Sequence, residues 1–179
     1  MDLELRMYGL VPYNISEIQK GIQFGHGVVE YAQDHYNDPD YQEWASKYKT
    51  FIILNGGTSN HVSDIYGGSM ESHAGTLLEN GIKISTFNEP DLNDMLSSIL
   101  FIVDERVFNR EKYPDFDTKL FQGDFSDPMN PSFLVDSHGL DQMPGHSIVN
   151  KIAWENWVES IGGRQNLFLR NFLRGFRLA

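Results

Sequence analysis

Gln19, Gln23, His26, Glu30 and Gln33 recur at intervals of three and four residues within NISEIQKGIQFGHGVVEYAQ, residues 14–33. On a helix that spacing lines amides, an imidazole and a carboxylate into one row. Such groups can read the hydrogen-bonding edge of a base or hold a phosphate, and an imidazole near a carboxylate can also move protons. The same row is equally a boundary face, half-buried against neighbouring backbone. Gln23 and His26 carry the chemical version of the reading.

Three further clusters have chemistry to offer. NGGTSN at 55–60 sets Gly56 and Gly57 between Asn55 and Thr58, so backbone N–H groups and hydroxyls can converge on a phosphate. The Gly-Lys-Ser/Thr of a nucleotide-hydrolysing loop is missing, and a plain surface loop is the alternative. EPDLND at 89–94 gathers Glu89, Asp91 and Asp94. It reads either as a turn in which Asp91 caps backbone amides, or as a ligand contact through Glu89 or Asn93. Its spacing fits no calcium loop, and no metal site is expected. His35, His61, His73, His138 and His146 lack metal-ligand spacing, cysteine is absent, and no cofactor is expected. No Gly-x-Ser-x-Gly elbow accompanies them.

The last cluster is cationic. Arg170, Arg174 and Arg177 fall at i, i+4 and i+7 among Phe168, Leu169, Phe172, Leu173 and Phe176. A helix apolar over so wide an arc calls for two partners, so a homo-oligomer is expected there. Its arginines would meet a neighbour's acids or grip a dianion. Arg106 would help to offset ligand phosphates, and Tyr8 and Tyr13 would stack on bases.

The chain of 179 residues is 40% hydrophobic and 13% aromatic, enough for a packed core. Its formal charge is −11, with 14 bases against 25 acids, which argues against a long nucleic-acid partner. Residues 85–127 hold ten acids and four bases, whereas 160–179 hold four arginines and no acid. No apolar run is long enough to span a membrane, and MDLELRMYGL does not resemble a secretory leader. A cytoplasmic location is the expectation.

These groups need a scaffold. LELRMYGLV alternates as a strand with Leu3, Leu5 and Met7 on one face. Ser16 with Gln19 forms a capping box for a helix whose apolar stripe is Ile18, Ile22, Gly25, Val29 and Ala32. YQEWASKY (41–48) is a short helix, and TFIIL (50–54) a strand buried on both faces. A helix over 69–80 stops at Asn80-Gly81, and strands follow at 82–87 and 95–103. Residues 109–149 lack periodicity and read as an insertion or arm. The chain closes on helices. This order predicts an α/β fold: a mixed four-stranded sheet with helices on both faces and a C-terminal helical extension. The division is a core over 1–108, the arm at 109–149 and helices at 150–179, one domain overall.

GIQFGHGVVEYA with LENGIKISTFNEPDLNDMLSSILFIVDERV resembles the type II peptidyl-tRNA hydrolases over about residues 3–107. In that family the first helix carries Ala-Gln-x-x-His-Ala, matched here by Gln23 and His26. The resemblance implies a peptidyl-tRNA hydrolase-like fold, with Glu89 as the catalytic residue if the chain is an enzyme. Four positions depart from the pattern: the helix lysine becomes Gln19, and the loop Asp, Gly and Thr become Glu89, Asp91 and Asn93. VPYNIS, ILNGGTSN and EPDLND also resemble a group of tailed-bacteriophage proteins, the anti-CBASS sponges that sequester cyclic nucleotide immune signals. That likeness implies a non-catalytic protein that captures a small nucleotide. Peptidyl-tRNA hydrolysis, or a protein-binding decoy using the 109–149 arm, are the alternatives.

Overall fold

The computed structural model describes residues 2–59, 68–116 and 148–179, and of 148–151 the backbone alone. These fall into two compact units, residues 1–105 with 175–179, and residues 106–174.

The first unit is built on a four-stranded mixed sheet in the order β2–β1–β4–β3. Its strands are β1 (Leu5–Val11), β2 (Thr50–Asn55), β3 (Ser85–Glu89) and β4 (Met95–Asp104). β2 runs parallel to β1, while β4 is antiparallel to both β1 and β3. The two central strands are covered on both faces. In β1 every residue except Arg6 is buried, so Tyr8 and Leu10 join Leu5 and Met7 inside rather than alternating outward. β2 departs from expectation: it is an edge strand, and Phe51 is half exposed. A continuous apolar run does not distinguish the two positions, because an edge strand can bury its faces unevenly. The chain terminus covers that edge. Asn55 donates to the Arg177 carbonyl at 2.9 Å, and Ala179 to that of Ile53 at 3.0 Å. Sheet edges left open invite pairing with other chains, and this one is blunted.

The long helix α1 (Glu17–Asp34) lies across β1, β4 and β3. Ser16 and Gln19 form the anticipated capping box, with the Gln19 amide donating to Ser16 Oγ at 3.3 Å and the Ser16 amide to Gln19 Oε1 at 3.2 Å. The buried face differs from the expected one. Ile18, Ile22 and Val29 are 78%, 49% and 57% exposed, and the helix buries Lys20, Gln23, Phe24, Gly27 and Tyr31 instead. Two aromatic knobs outweigh three aliphatic ones in area removed from water. Between them Gly27 permits a close approach: a Cβ there would lie 2.0 Å from Leu100 Cδ2 and 2.5 Å from Ser98 Oγ. Phe24 and Tyr31 then join Leu5, Met7, Val11, Trp44 and Leu100 in one apolar cluster.

Between β1 and β3 run α2 (Pro39–Glu43), a π turn at Trp44–Tyr48, and α3 (Ser69–Glu79). Asn80 ends α3, and Gly81 follows at φ +71°. β3 begins at Ser85, not at residue 82. A register shift between Phe87 and Asn88 sits just before Glu89, and such bulges re-aim the side chains beside them.

α4 (Glu105–Phe108) leads into the second unit, where α5 (Ile148–Ser160) and α6 (Arg164–Phe172) are joined through Gly162 and Gly163 at φ +94° and +89°. Trp154, Val158, Ile161 and Leu167 form its core with Phe116 and Trp157. α6 passes into a 3-10 turn at Leu173–Gly175, so the expected single face of Arg170, Arg174 and Arg177 is broken before Arg177. The arm expected at 109–149 lies mostly outside the described residues, as do His61, His138 and His146. Among the described residues no helix is long and apolar enough to cross a membrane.

Candidate functional site

A polar chain runs from the interior of the first unit to its surface. Ser97, on β4, is fully buried, and its hydroxyl donates to Gln23 Oε1 at 2.7 Å with the Phe87 carbonyl 3.1 Å away. That contact fixes the orientation of the Gln23 amide, because only the nitrogen can then face the next group. Gln23 Nε2 donates to Glu89 Oε2 at 2.5 Å across a sequence separation of 66 residues. The same carboxylate oxygen lies 3.7 Å from His26 Nδ1, an ion-pair distance rather than a hydrogen bond. The His26 ring packs edge-on against Phe87 at 4.6 Å.

Burial grades along this chain. Gln23 is 5% exposed, the Glu89 side chain 13%, and the His26 side chain 45%. The outer end therefore presents a partly desolvated carboxylate, held from behind by a locked amide, beside an imidazole packed on Phe87. Among the described residues His26 Nε2 has no protein partner, so it is available to a ligand or to water. Glu89 Oε1 also accepts the Asp91 amide at 3.4 Å, so Glu89 caps the 3-10 turn Pro90–Leu92. The capping role expected of Asp91 belongs to Glu89. Asn93 and Asp94 follow in the left-handed conformation, and Asn88 Nδ2 ties the turn to the Asp94 carbonyl at 2.8 Å.

The other expected site residues serve other contacts. The amides of the 55–58 loop are already used: Gly56 donates to the Val11 carbonyl (2.8 Å), Gly57 to Asn55 Oδ1 (2.9 Å) and Thr58 to Ser69 Oγ (2.7 Å). That corrects the expected phosphate cradle. The glycines serve the turn, with Gly57 at φ +86°, and Gly56 leaves room for Met70. Tyr8 is buried against Phe101 and has no face to offer a base, and burial raises its hydroxyl above the ordinary tyrosine range. Tyr13 is 54% exposed, and its amide donates to the Gly57 carbonyl. Arg106, Arg170 and Arg174 belong to the second unit. Arg170 is 1% exposed and Leu167, Phe168 and Leu169 are buried beside it. Of the apolar arc, Phe168 and Leu169 are buried, and Phe172, Leu173 and Phe176 are half-buried. Arg177 offers its carbonyl to Asn55.

Sequence reasoning missed Ser97, although it left a trace. Ser97-Ser98 interrupts a run of buried apolar residues, and consecutive strand positions point to opposite faces. A hydroxyl inside a buried strand ordinarily finds an acceptor, and Ser97 found Gln23, whereas Ser98 Oγ has none among the described residues. Among the described residues no group of three or more His, Asp or Glu could hold a metal ion.

No protein-family model matches the chain, and no curated protein matches it.

Proposed function

We propose that this chain captures a small nucleotide at the Gln23–Glu89–His26 cluster and releases it chemically unchanged. The observation that carries the reading is the buried Gln23 amide, which Ser97 locks so that it holds Glu89 at the mouth of the cluster. A carboxylate so placed accepts hydrogen bonds and donates none, which suits the amino and imino groups on a base's Watson–Crick edge. It repels phosphates, so the base end enters and the phosphates point away. The hydroxyl in the cluster is fully buried and bonded to Gln23, a recognition scaffold rather than a nucleophile.

The finer fold reading, a relative of the type II peptidyl-tRNA hydrolases, draws support from the same place. Gln23 and His26 match that family's helix signature, Glu89 stands where its loop has Asp, and Glu89 lies 2.5 Å from Gln23 and 3.7 Å from His26. The wider role, sequestering a cyclic nucleotide immune signal during phage infection, extends this reading along the likeness to the anti-CBASS sponges.

A thermal-shift series across cyclic di- and trinucleotides tests it. A binder at saturating ligand gains several degrees and returns the ligand intact after denaturation. Glu89→Gln should weaken binding at least about tenfold, a loss of about 1.4 kcal/mol. Ester hydrolysis is the second reading, favoured by the 3.7 Å approach of His26 to Glu89, a base–orienter geometry. Turnover of peptidyl-tRNA that disappears in Glu89→Gln would replace capture with catalysis.

A further inference from the structure

Three guanidinium groups of the second unit close on one carboxylate. Asp115 Oδ1 accepts from Arg110 Nη1 and, at 2.7 Å, from Arg170 Nη2, while Oδ2 accepts from Arg174 Nη2 at 2.7 Å. Arg170 is 1% exposed and lies 5.7 Å from the Trp157 ring centre. Its remaining bonds go to carbonyls, Nη1 to Arg106 at 2.5 Å and Nη2 to Tyr113 at 2.8 Å. Arg110 Nη2 in turn donates to the Arg170 carbonyl at 2.9 Å.

Two features do not fit a finished ion-pair network. Among the described residues three positive charges face a single negative one, an excess of two, in a chain whose net charge is −11. Arg170 Nε is buried with no hydrogen-bond acceptor among the described residues, although a buried polar group normally has one. Burial, then the charge of Arg170, lowers the Arg110 pKa from its ordinary value, so the cationic excess is felt within the cluster. Asp115 has the opposite character. Its side chain is 50% exposed.

We propose that Arg110, Arg170 and Arg174 form a binding site for the dianionic phosphate of a phosphate monoester, and that Asp115 is its exchangeable internal stand-in. A phosphate brings two negative charges where the carboxylate brings one. Its three terminal oxygens can each take a guanidinium, whereas the two of Asp115 are shared among three. Arg110 and Arg170 are held by backbone carbonyls as well as by Asp115, so they keep their places when the carboxylate leaves, and the exposed Arg174 is free to follow the incoming anion. The proposal is independent of the Glu89 cluster, and either can fail without the other.

Calorimetric titration of the full chain, at fixed ionic strength, with inorganic phosphate and separately with adenosine 5′-monophosphate is the test. Wild type should bind weakly, because Asp115 competes. Asp115→Asn, which keeps the shape and removes the charge, should bind at least about tenfold tighter. Arg174→Gln alters a side chain that is 58% exposed, so the fold should tolerate it, and binding should be lost. Equal affinities for the two probes identify free phosphate as the ligand, and tighter binding of the monophosphate identifies a nucleotide. The proposal is overturned if Asp115→Asn binds phosphate no better than wild type, or if adding Arg174→Gln leaves that binding unchanged. Should Asp115→Asn fail to fold, phosphate-induced amide shifts at residues 110, 115 and 174 of wild type decide, and their absence is equally fatal.

Discussion

Replacing Gly27 by alanine and, separately, Gly25 by alanine should move stability in opposite directions on one helix. At Gly27 the added carbon would sit 2.0 Å from Leu100 Cδ2 and 2.5 Å from Ser98 Oγ, against the ~3.5–4.0 Å of ordinary carbon contact. Leu100 is fully buried in a central strand and cannot yield cheaply, so α1 must lift outward by roughly 1.5 Å or the core must take strained rotamers. Overpacking of this kind costs up to ~3 kcal/mol, and alanine's better helix propensity returns ~1 kcal/mol. The net loss is about 2 kcal/mol, a fall in Tm of roughly 4–8 °C for a chain of this size. A carbon added at Gly25 or Gly21 meets nothing within 4 Å, so only the propensity gain remains, about 0.5–1 kcal/mol. Urea denaturation followed by far-ultraviolet circular dichroism measures both. The reasoning is refuted if Gly25→Ala destabilises while Gly27→Ala does not. That pattern would mean the Ile18–Ile22–Val29 face is the buried one, and Gln23 would then lose its place beside Glu89.

Two further outcomes concern the second unit. Burial opposes ionisation of Asp115, but the hydrogen bond from Arg170 and the charges of Arg110 and Arg174 prevail and hold its carboxyl below the ordinary carboxylate range. A carboxyl depressed in the folded state lends stability above its unfolded pKa of about 3.9, and that stability is lost as pH falls through the folded value. Protection against hydrogen exchange at residues 106–116, taken against the intrinsic rate at each pH, should therefore fall below about pH 4 in wild type and show a flatter profile in Asp115→Asn. Arg170→Met, similar in volume, should cost about 2–4 kcal/mol by chemical denaturation. It removes a buried cation and leaves the Arg106 and Tyr113 carbonyls without their donor.

What the sequence made legible was local. The Ser16–Gln19 capping box, the buried run of β4 and the Asn80-Gly81 stop each follow from a few adjacent residues, and each is present. What stayed hidden depended on distant partners. The isoleucines and valine of α1 mark an apolar stripe on a wheel, yet Phe24 and Tyr31 on the other side fill more space, and Gly27 decides which face comes close. Gln23 was picked out, but its burial followed from Ser97, 74 residues away on β4. Arg170 has the spacing of a surface cation, and only the chain around Asp115 turns it into a buried one. Neither the coverage of β2 by the last residues nor the internal use of the 55–58 amides leaves a periodic signal.

The sign of the salt dependence separates base-edge capture at Glu89 from phosphate capture. At 4 Å a phosphate charge and the Glu89 carboxylate repel by about 1 kcal/mol in water and about 4 kcal/mol at an effective dielectric constant near 20. The chain's charge of −11 adds a longer-ranged repulsion of the same sign. Salt shortens the reach of both, from a Debye length of ~30 Å at ~0.01 M to ~10 Å at ~0.1 M. A nucleotide held by its base against Glu89 should consequently bind better as salt rises over that range, and Glu89→Gln should flatten the slope as well as weaken the complex. Ligands gripped through phosphate by arginine behave oppositely, since added salt screens the attraction that holds them. Affinity for a cyclic dinucleotide that falls steeply with salt, and does so equally in Glu89→Gln, would mean that the Glu89 carboxylate takes no part in recognition.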